Sequence, residues 1–303
     1  FRELKTIGNE LDRLGDTLLG SRTKSEVALI FDYDNCWASE LCCGPSSDPE
    51  YKDYGREVMR YYQALNDLNV STDVLWEEAD FSGYKVVVAP ILYMVKPGFK
   101  EKIDAFVKNG GTFVASAFSG IADETDLVYL GGQPGPLRDV LGIFVEEIDC
   151  LPPDRKNSFI YGGVRYEAKQ YFDVITKQDA ACGTLASYES DFYAGCPAVT
   201  KNTFGSGHAY YVATRSCDDF YRAFLKDVIT EAGVGQLYPE ENGLEVTERV
   251  NENGTFRFFL NHTDAPRCVS APSDSTDILT GRNYEKGGSI ELKPYGVVIL
   301  KLQ

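Results

Sequence analysis

Eight residues in two short stretches have the types that bind or activate small molecules. Asp32, Asp34, Asn35 and Trp37 follow the apolar run 26–31, and Ser116, Ser119, Asp123 and Glu124 end or follow the run 112–116. In a doubly wound sheet, ligands sit at the carboxyl ends of the strands, so these eight residues would line one crevice. The same residue types also cap loops, and a loop tryptophan also faces partners, so both readings stand.

No complete catalytic set accompanies them. Glycoside hydrolysis needs two carboxyl groups facing each other about 5–10 Å apart across a sugar. Asp123 and Glu124, Glu77 and Glu78, and Glu146 and Glu147 are adjacent in sequence, so the side chains of each pair diverge. A nucleophile elbow belongs at the turn 115–120, where no cysteine stands. Ser116 would need a histidine base, and the chain's two, His208 and His262, fall in a predicted hairpin and in the all-β tail. The glycines of 131–135 lack phosphate-loop spacing. Asn253 and Asn261 match the glycosylation pattern but read as turn residues. The eight cysteines form no C-x-x-C pair and have no nearby histidine, so neither a metal nor a cofactor is expected. Cys42 and Cys43 are the one pair placed for oxidation.

The elements that must position these residues follow from the apolar pattern. Short runs at 26–31, 72–76, 85–90 and 112–116 read as buried parallel strands, with the first ending in a polar loop. Helices are expected at 54–68, at 97–108 with a Gly110-Gly111 stop, at 135–141 and at 217–232. Segments 197–202 and 208–213 form a predicted hairpin about a glycine turn. This alternation predicts an α/β fold with a doubly wound, mostly parallel, flavodoxin-like sheet. Beyond residue 235, short strands at 244–250, 255–261, 277–279, 289–292 and 296–302 predict a small antiparallel all-β domain. Leu4, Ile7, Leu11, Leu14 and Leu18 draw an apolar stripe along an amphipathic first helix that must dock on something.

Composition bounds the partners. The 303 residues are 43% hydrophobic and 25% charged, the profile of a folded protein of about two domains. A net charge of −16 has the wrong sign for nucleic acid or anionic lipid. No apolar run approaches the roughly 20 residues of a membrane helix. The start at Phe1, with neither an initiator Met nor a signal peptide, reads as a cut inside a longer cytoplasmic protein with reduced thiols.

Several segments carry a resemblance. Residues 1–11 (Phe-Arg-Glu-Leu-Lys-Thr-Ile-Gly-Asn-Glu-Leu) and 27–38 (Val-Ala-Leu-Ile-Phe-Asp-Tyr-Asp-Asn-Cys-Trp-Ala) are similar to the join between barrel and middle domain in the glycoside hydrolase family 42 β-galactosidases. Residues 119–124 (Ser-Gly-Ile-Ala-Asp-Glu), 130–135 (Leu-Gly-Gly-Gln-Pro-Gly), 207–215 (Gly-His-Ala-Tyr-Tyr-Val-Ala-Thr-Arg) and 259–263 (Phe-Leu-Asn-His-Thr) resemble later parts of the same family, in order. The resemblance implies a three-part enzyme: a catalytic barrel with two glutamates, a middle domain like class I glutamine amidotransferases that forms a homotrimer, and a C-terminal β domain. Residues 1–24 would then be the end of the last barrel helix and a linker, 25–235 the trimerisation domain and 236–303 the C-terminal domain. The partners implied are other copies of the chain, the barrel and, through it, a galactoside substrate. No catalytic residue maps onto this chain. Cys36, Cys42 and Cys43 depart from what the resemblance leads one to expect in the loop after the first strand. Two other readings compete: a free-standing carbohydrate-binding module presenting Trp37 and Trp76, and a flavodoxin-like small-molecule enzyme.

Overall fold

The computed structural model describes residues 1–42 and 53–303. Cys43 and the Gly/Pro/Ser/Asp stretch 44–49 lie outside the described residues. The chain divides into two compact units, one of residues 26–64 with 72–234, the other of 1–25, 65–71 and 235–303.

The first unit is built on a seven-stranded sheet. Strands β1 (Val27–Ile30), β2 (Thr72–Leu75), β3 (Val86–Ala89) and β4 (Thr112–Ser116) run parallel in the order β2-β1-β3-β4. β1, β3 and β4 are buried along their whole length, as continuous apolar runs in a covered parallel sheet must be. The second unit begins with α1 (Arg2–Leu18). The helices of the first unit are α2 (Tyr33–Leu41), all of α3 (Tyr54–Asp67) but its last three residues, α4 (Phe99–Lys108), α5 (Arg138–Leu141) and α6 (Asp218–Glu231).

Four strands then build an antiparallel layer: β5 (Ile143–Cys150), β6 (Asn157–Tyr161) and β7 (Val164–Lys177) pair around β7, which also takes β11 (Thr214–Arg215). The main sheet is completed by β8 (Gly183–Ser187), β9 (Pro197–Phe204) and β10 (Gly207–Val212). β10 lies parallel to β4, and β9 and β8 follow antiparallel, so the sheet is mixed, with its parallel part at β2 to β10.

The polar stretch after β1, expected as a loop, is the helix α2. Asp32 adopts an extended backbone, and its carboxylate accepts hydrogen bonds from the amides of Asp34 and Asn35 at 3.0 and 3.4 Å, so a capping carboxylate starts a helix where loop residues were read. β8 carried no strong apolar pattern and was not anticipated.

The second unit holds a five-stranded antiparallel sheet and a two-stranded one. β12 (Leu244–Asn251), β13 (Gly254–Asn261), β15 (Ser275–Asp277), β16 (Asn283–Tyr284) and β18 (Val297–Leu302) form the first, in the order β12-β13-β18-β15-β16. β14 (Arg267–Ser270) and β17 (Ser289–Leu292) form the second. Leu244, Phe259, Ile290, Leu292 and Leu300 form its core. The strand expected at 277–279 stops at Asp277, whose carboxylate accepts from the Leu279 amide and the Thr280 hydroxyl and turns the chain. Along α1, Leu14 and Leu18 are half-buried, whereas Leu4, Ile7 and Leu11 are exposed. Among the described residues, no helix is long and apolar enough to cross a membrane.

Candidate functional site

Asp32, Asp34 and Asn35 sit at the carboxyl end of β1, held by α2. Asp32 is buried and doubly committed: one oxygen caps the helix, the other accepts from the Lys96 ammonium at 2.9 Å. Asp34 accepts from the same ammonium at 2.8 Å, and Glu78 lies 3.3 Å from it. Burial opposes the charge on Lys96, but the carboxylates of Asp34 and Asp32 overcome it and raise the ammonium above the usual lysine range. One cation therefore occupies the space between the two aspartates, which cannot act as a facing acid and base pair. Asn35 is fully buried, donates to the Ile91 carbonyl at 2.9 Å and accepts from the Met94 amide at 2.9 Å, tying α2 to the segment after β3.

Glu77 and Glu78 diverge. Glu78 is half exposed, whereas Glu77 is buried beneath Lys96, accepting from its backbone amide at 3.0 Å while its second oxygen has no partner. Burial pushes Glu77 up to about 8. Lys96 was not singled out from the sequence, and Glu77 entered only as half of a rejected carboxylate pair, because their shared role arises only where the ends of β1, β2 and β3 come together.

Ser116 and Ser119 are buried and spent on the backbone. Ser116 Oγ accepts from the Ile91 amide at 2.8 Å, and Ser119 Oγ accepts from the Leu92 amide at 2.9 Å while donating to the Ser116 carbonyl. The histidines are engaged elsewhere: His208 lies beside Glu231 and Thr203, and His262, in the second unit, pairs with Glu245. The first left-handed backbone position after β4 is Phe118, at φ +68°. Its ring is stacked between Tyr93 and Tyr171, at 5.4 and 5.5 Å. The geometry that an elbow gives to a nucleophile is here given to an aromatic ring in the core.

Below Phe118 lies Asp173, fully buried on β7, where it accepts from the Phe118 amide at 3.3 Å and from the Tyr211 hydroxyl. Burial pushes its carboxyl up to about 6, against both hydrogen bonds. A second buried acid, Glu57, accepts from the Tyr221 hydroxyl and pairs with Arg60 and Arg215, each at 3.3 Å. Arg215 in turn covers the Tyr171 ring. The carboxyl end of the sheet is thus filled by tyrosines, acids and a guanidinium bonded to one another.

Asp123 and Glu124 stand apart from this cluster. Asp123 closes a turn, accepting from the amide and hydroxyl of Thr125 and the amide of Leu127, and these bonds hold its carboxyl below the usual range. Glu124 is exposed. Trp37 is 59% exposed beside the exposed Tyr33 ring, and Trp76, 57% exposed, precedes Glu77 at the same end of the sheet. A cavity of about 520 Å³ lined by Phe81, Tyr84, Lys102, Phe106 and Asn109 opens at the amino ends of β3 and β4, away from all eight residues. Among the described residues, no cluster of three or more His, Cys, Asp or Glu side chains could hold a metal ion.

Residues 25–235 match the family described as the β-galactosidase trimerisation domain, and residues 243–302 match the β-galactosidase C-terminal domain. The chain belongs to the glycoside hydrolase family 42 β-galactosidases. It is 45% identical to β-galactosidase BgaP of Planococcus sp. (strain L4) over 99% of this chain and 44% of that protein. It is 40% identical to β-galactosidase LacZ of Lactobacillus acidophilus, with the same coverage of each. The crystal structure of β-galactosidase from Bacillus circulans sp. alkalophilus superposes with a TM-score of 0.94 at 41% identity, over 100% of this chain and 45% of that one. The family 42 chain therefore spans less than half the length of the relatives it matches.

Proposed function

We propose that this chain is the trimerisation and C-terminal portion of a β-galactosidase, inactive by itself and needing no cofactor, in which the strand ends serve assembly and not catalysis. The whole protein would hydrolyse terminal β-galactosides with retention, through glutamates on a barrel that is not part of this chain. Residues 1–24 would lead from that barrel, 25–235 would form a homotrimer on an amidotransferase-like fold, and 236–303 would close the subunit. In the trimer, the segments around Asp32 to Trp37 and Ser116 to Glu124 would help wall a neighbour's active site. Cys36, Cys150, Cys182, Cys196, Cys217 and Cys268 are free thiols, in keeping with a cytoplasmic protein.

The observation that carries this reading is the state of Ser116, Ser119 and Phe118: both hydroxyls are consumed by backbone amides, and the strained position holds an aromatic ring. The test is an assay of the purified chain on a chromogenic β-galactoside, where no turnover is expected. Turnover that survives repurification contradicts it.

The exposed rings of Trp37 and Trp76 favour a second reading, a carbohydrate-binding module. Saturable quenching of tryptophan fluorescence by galactose or lactose, lost in Trp37→Ala, would support it over the first.

A further inference from the structure

In the first unit, the segment between β4 and α5 exposes apolar side chains on a backbone too well tethered to fold them away. Leu127, Val128 and Leu130 are all exposed, and Leu130 is fully so. Asp123 fixes the turn below them through Thr125 and Leu127, and the Asp123 amide returns a bond to the Leu127 carbonyl at 3.0 Å. Val128 pairs with Ala122 in an antiparallel bridge. Tyr129 points inward, its hydroxyl donating to the Val95 carbonyl at 2.9 Å and its amide to the Ile121 carbonyl at 2.9 Å. Beyond Leu130, Arg138 stacks on Phe144 and donates to the carbonyls of Gly131 and Gly132. The segment's far end is packed so tightly that a Cβ on Gly120, at φ +67°, would lie 2.0 Å from the Pro134 carbonyl oxygen.

A loop that only had to meet water would carry polar residues at three such positions, because each exposed apolar side chain forgoes the gain of burial. A tethered apolar ridge is what a preorganised interface presents, since little conformational freedom is lost when a partner covers it. The ridge lies within residues 25–235, the part of the chain matched to a trimerisation domain. We propose that the Leu127, Val128 and Leu130 ridge seats against a second copy of this chain and forms an anchor of the trimer contact. The inference rests on the trimerisation reading above and adds to it the surface that makes the contact. A cyclic trimer joins unlike patches, so the ridge of one copy meets a different surface of the next.

The test compares the 303-residue chain with the variant Leu127→Ser, Val128→Thr, Leu130→Ser by light scattering over a dilution series, with circular dichroism melts as the check on folding. Ile160→Thr, another exposed apolar residue of the first unit, serves as the control. The expected result is a trimeric wild type and control, with the ridge variant dissociating at a concentration about thirtyfold higher or more, as loss of an interface anchor requires, and an unchanged melt. A ridge variant that stays trimeric at every dilution overturns the ridge while leaving the trimerisation reading intact. A monomeric wild type overturns both. Should the triple variant melt early, Leu130→Ser alone gives the same comparison, and a dissociation midpoint equal to wild type counts against the ridge.

Discussion

The floor and the rim of the same sheet end have exchanged the characters expected of a binding crevice. On the floor, Ser116, Ser119, Asn35, Asp173, Glu57 and Arg215 are buried and bonded to protein groups. On the rim, Tyr33, Trp37, Trp76, Leu127, Val128 and Leu130 face outward with little to cover them. A catalytic cleft keeps polar groups accessible and preorganised for substrate, whereas a surface made for another protein presents apolar side chains over a rigid base. Polar residue types at strand ends are therefore not evidence of chemistry until their hydrogen bonds have been counted.

The largest effect should come from breaking the floor. Arg215→Met leaves Glu57 buried with only Arg60 opposite it, and should destabilise the first unit by about 3 kcal/mol in urea unfolding. If the loss is below about 1 kcal/mol, the floor is not the base that the rim rests on. Asn35→Ala removes a donor and an acceptor from the link between α2 and the Ile91 to Met94 segment, and should cost about 2 kcal/mol by the same measurement.

The pH dependence of stability sharpens the comparison further. Asp173, at about 6 when folded, lies above the roughly 3.9 of an unfolded aspartate, so the folded state holds the proton more tightly. Its contribution is complete below about pH 4 and is lost as pH rises towards 6. Glu77, at about 8, extends the loss upward from the roughly 4.3 of an unfolded glutamate. Melts between pH 4 and 9 should show a decline that Asp173→Asn flattens below pH 6 and Glu77→Gln flattens up to pH 8. An unchanged profile in both variants would mean that neither acid is held protonated by the fold.

The smallest effect on stability belongs to the rim. Trp37→Ser should shift the melt by less than about 0.5 kcal/mol, as expected of an exposed side chain. A shift as large as that of Asn35→Ala would make Trp37 part of the base and erase the distinction.

The alternation of strands and helices was legible because β1, β3 and β4 are continuous apolar runs bounded by turn residues, and Asn253-Gly254 marked the β12 to β13 turn. α2 was not, since its acidic cap and asparagine are residue types that serve loops and helix starts alike. β14 and β16 are too short and too exposed to show a period. The carboxylates after β1 were visible as a cluster. Their shared cation was not, because Lys96 is 64 residues from Asp32 in the chain and meets it only through parallel strand order. The consumption of Ser116 and Ser119 was equally hidden, because their partners are backbone amides that no side-chain pattern records.

The central claim is that this end of the fold serves assembly, and the mass of the wild-type chain in solution tests it most directly. Light scattering on a dilution series should give three times the 33.7 kDa chain mass, constant with concentration. A particle that keeps the mass of one chain at every concentration, while melting cooperatively, would contradict the account.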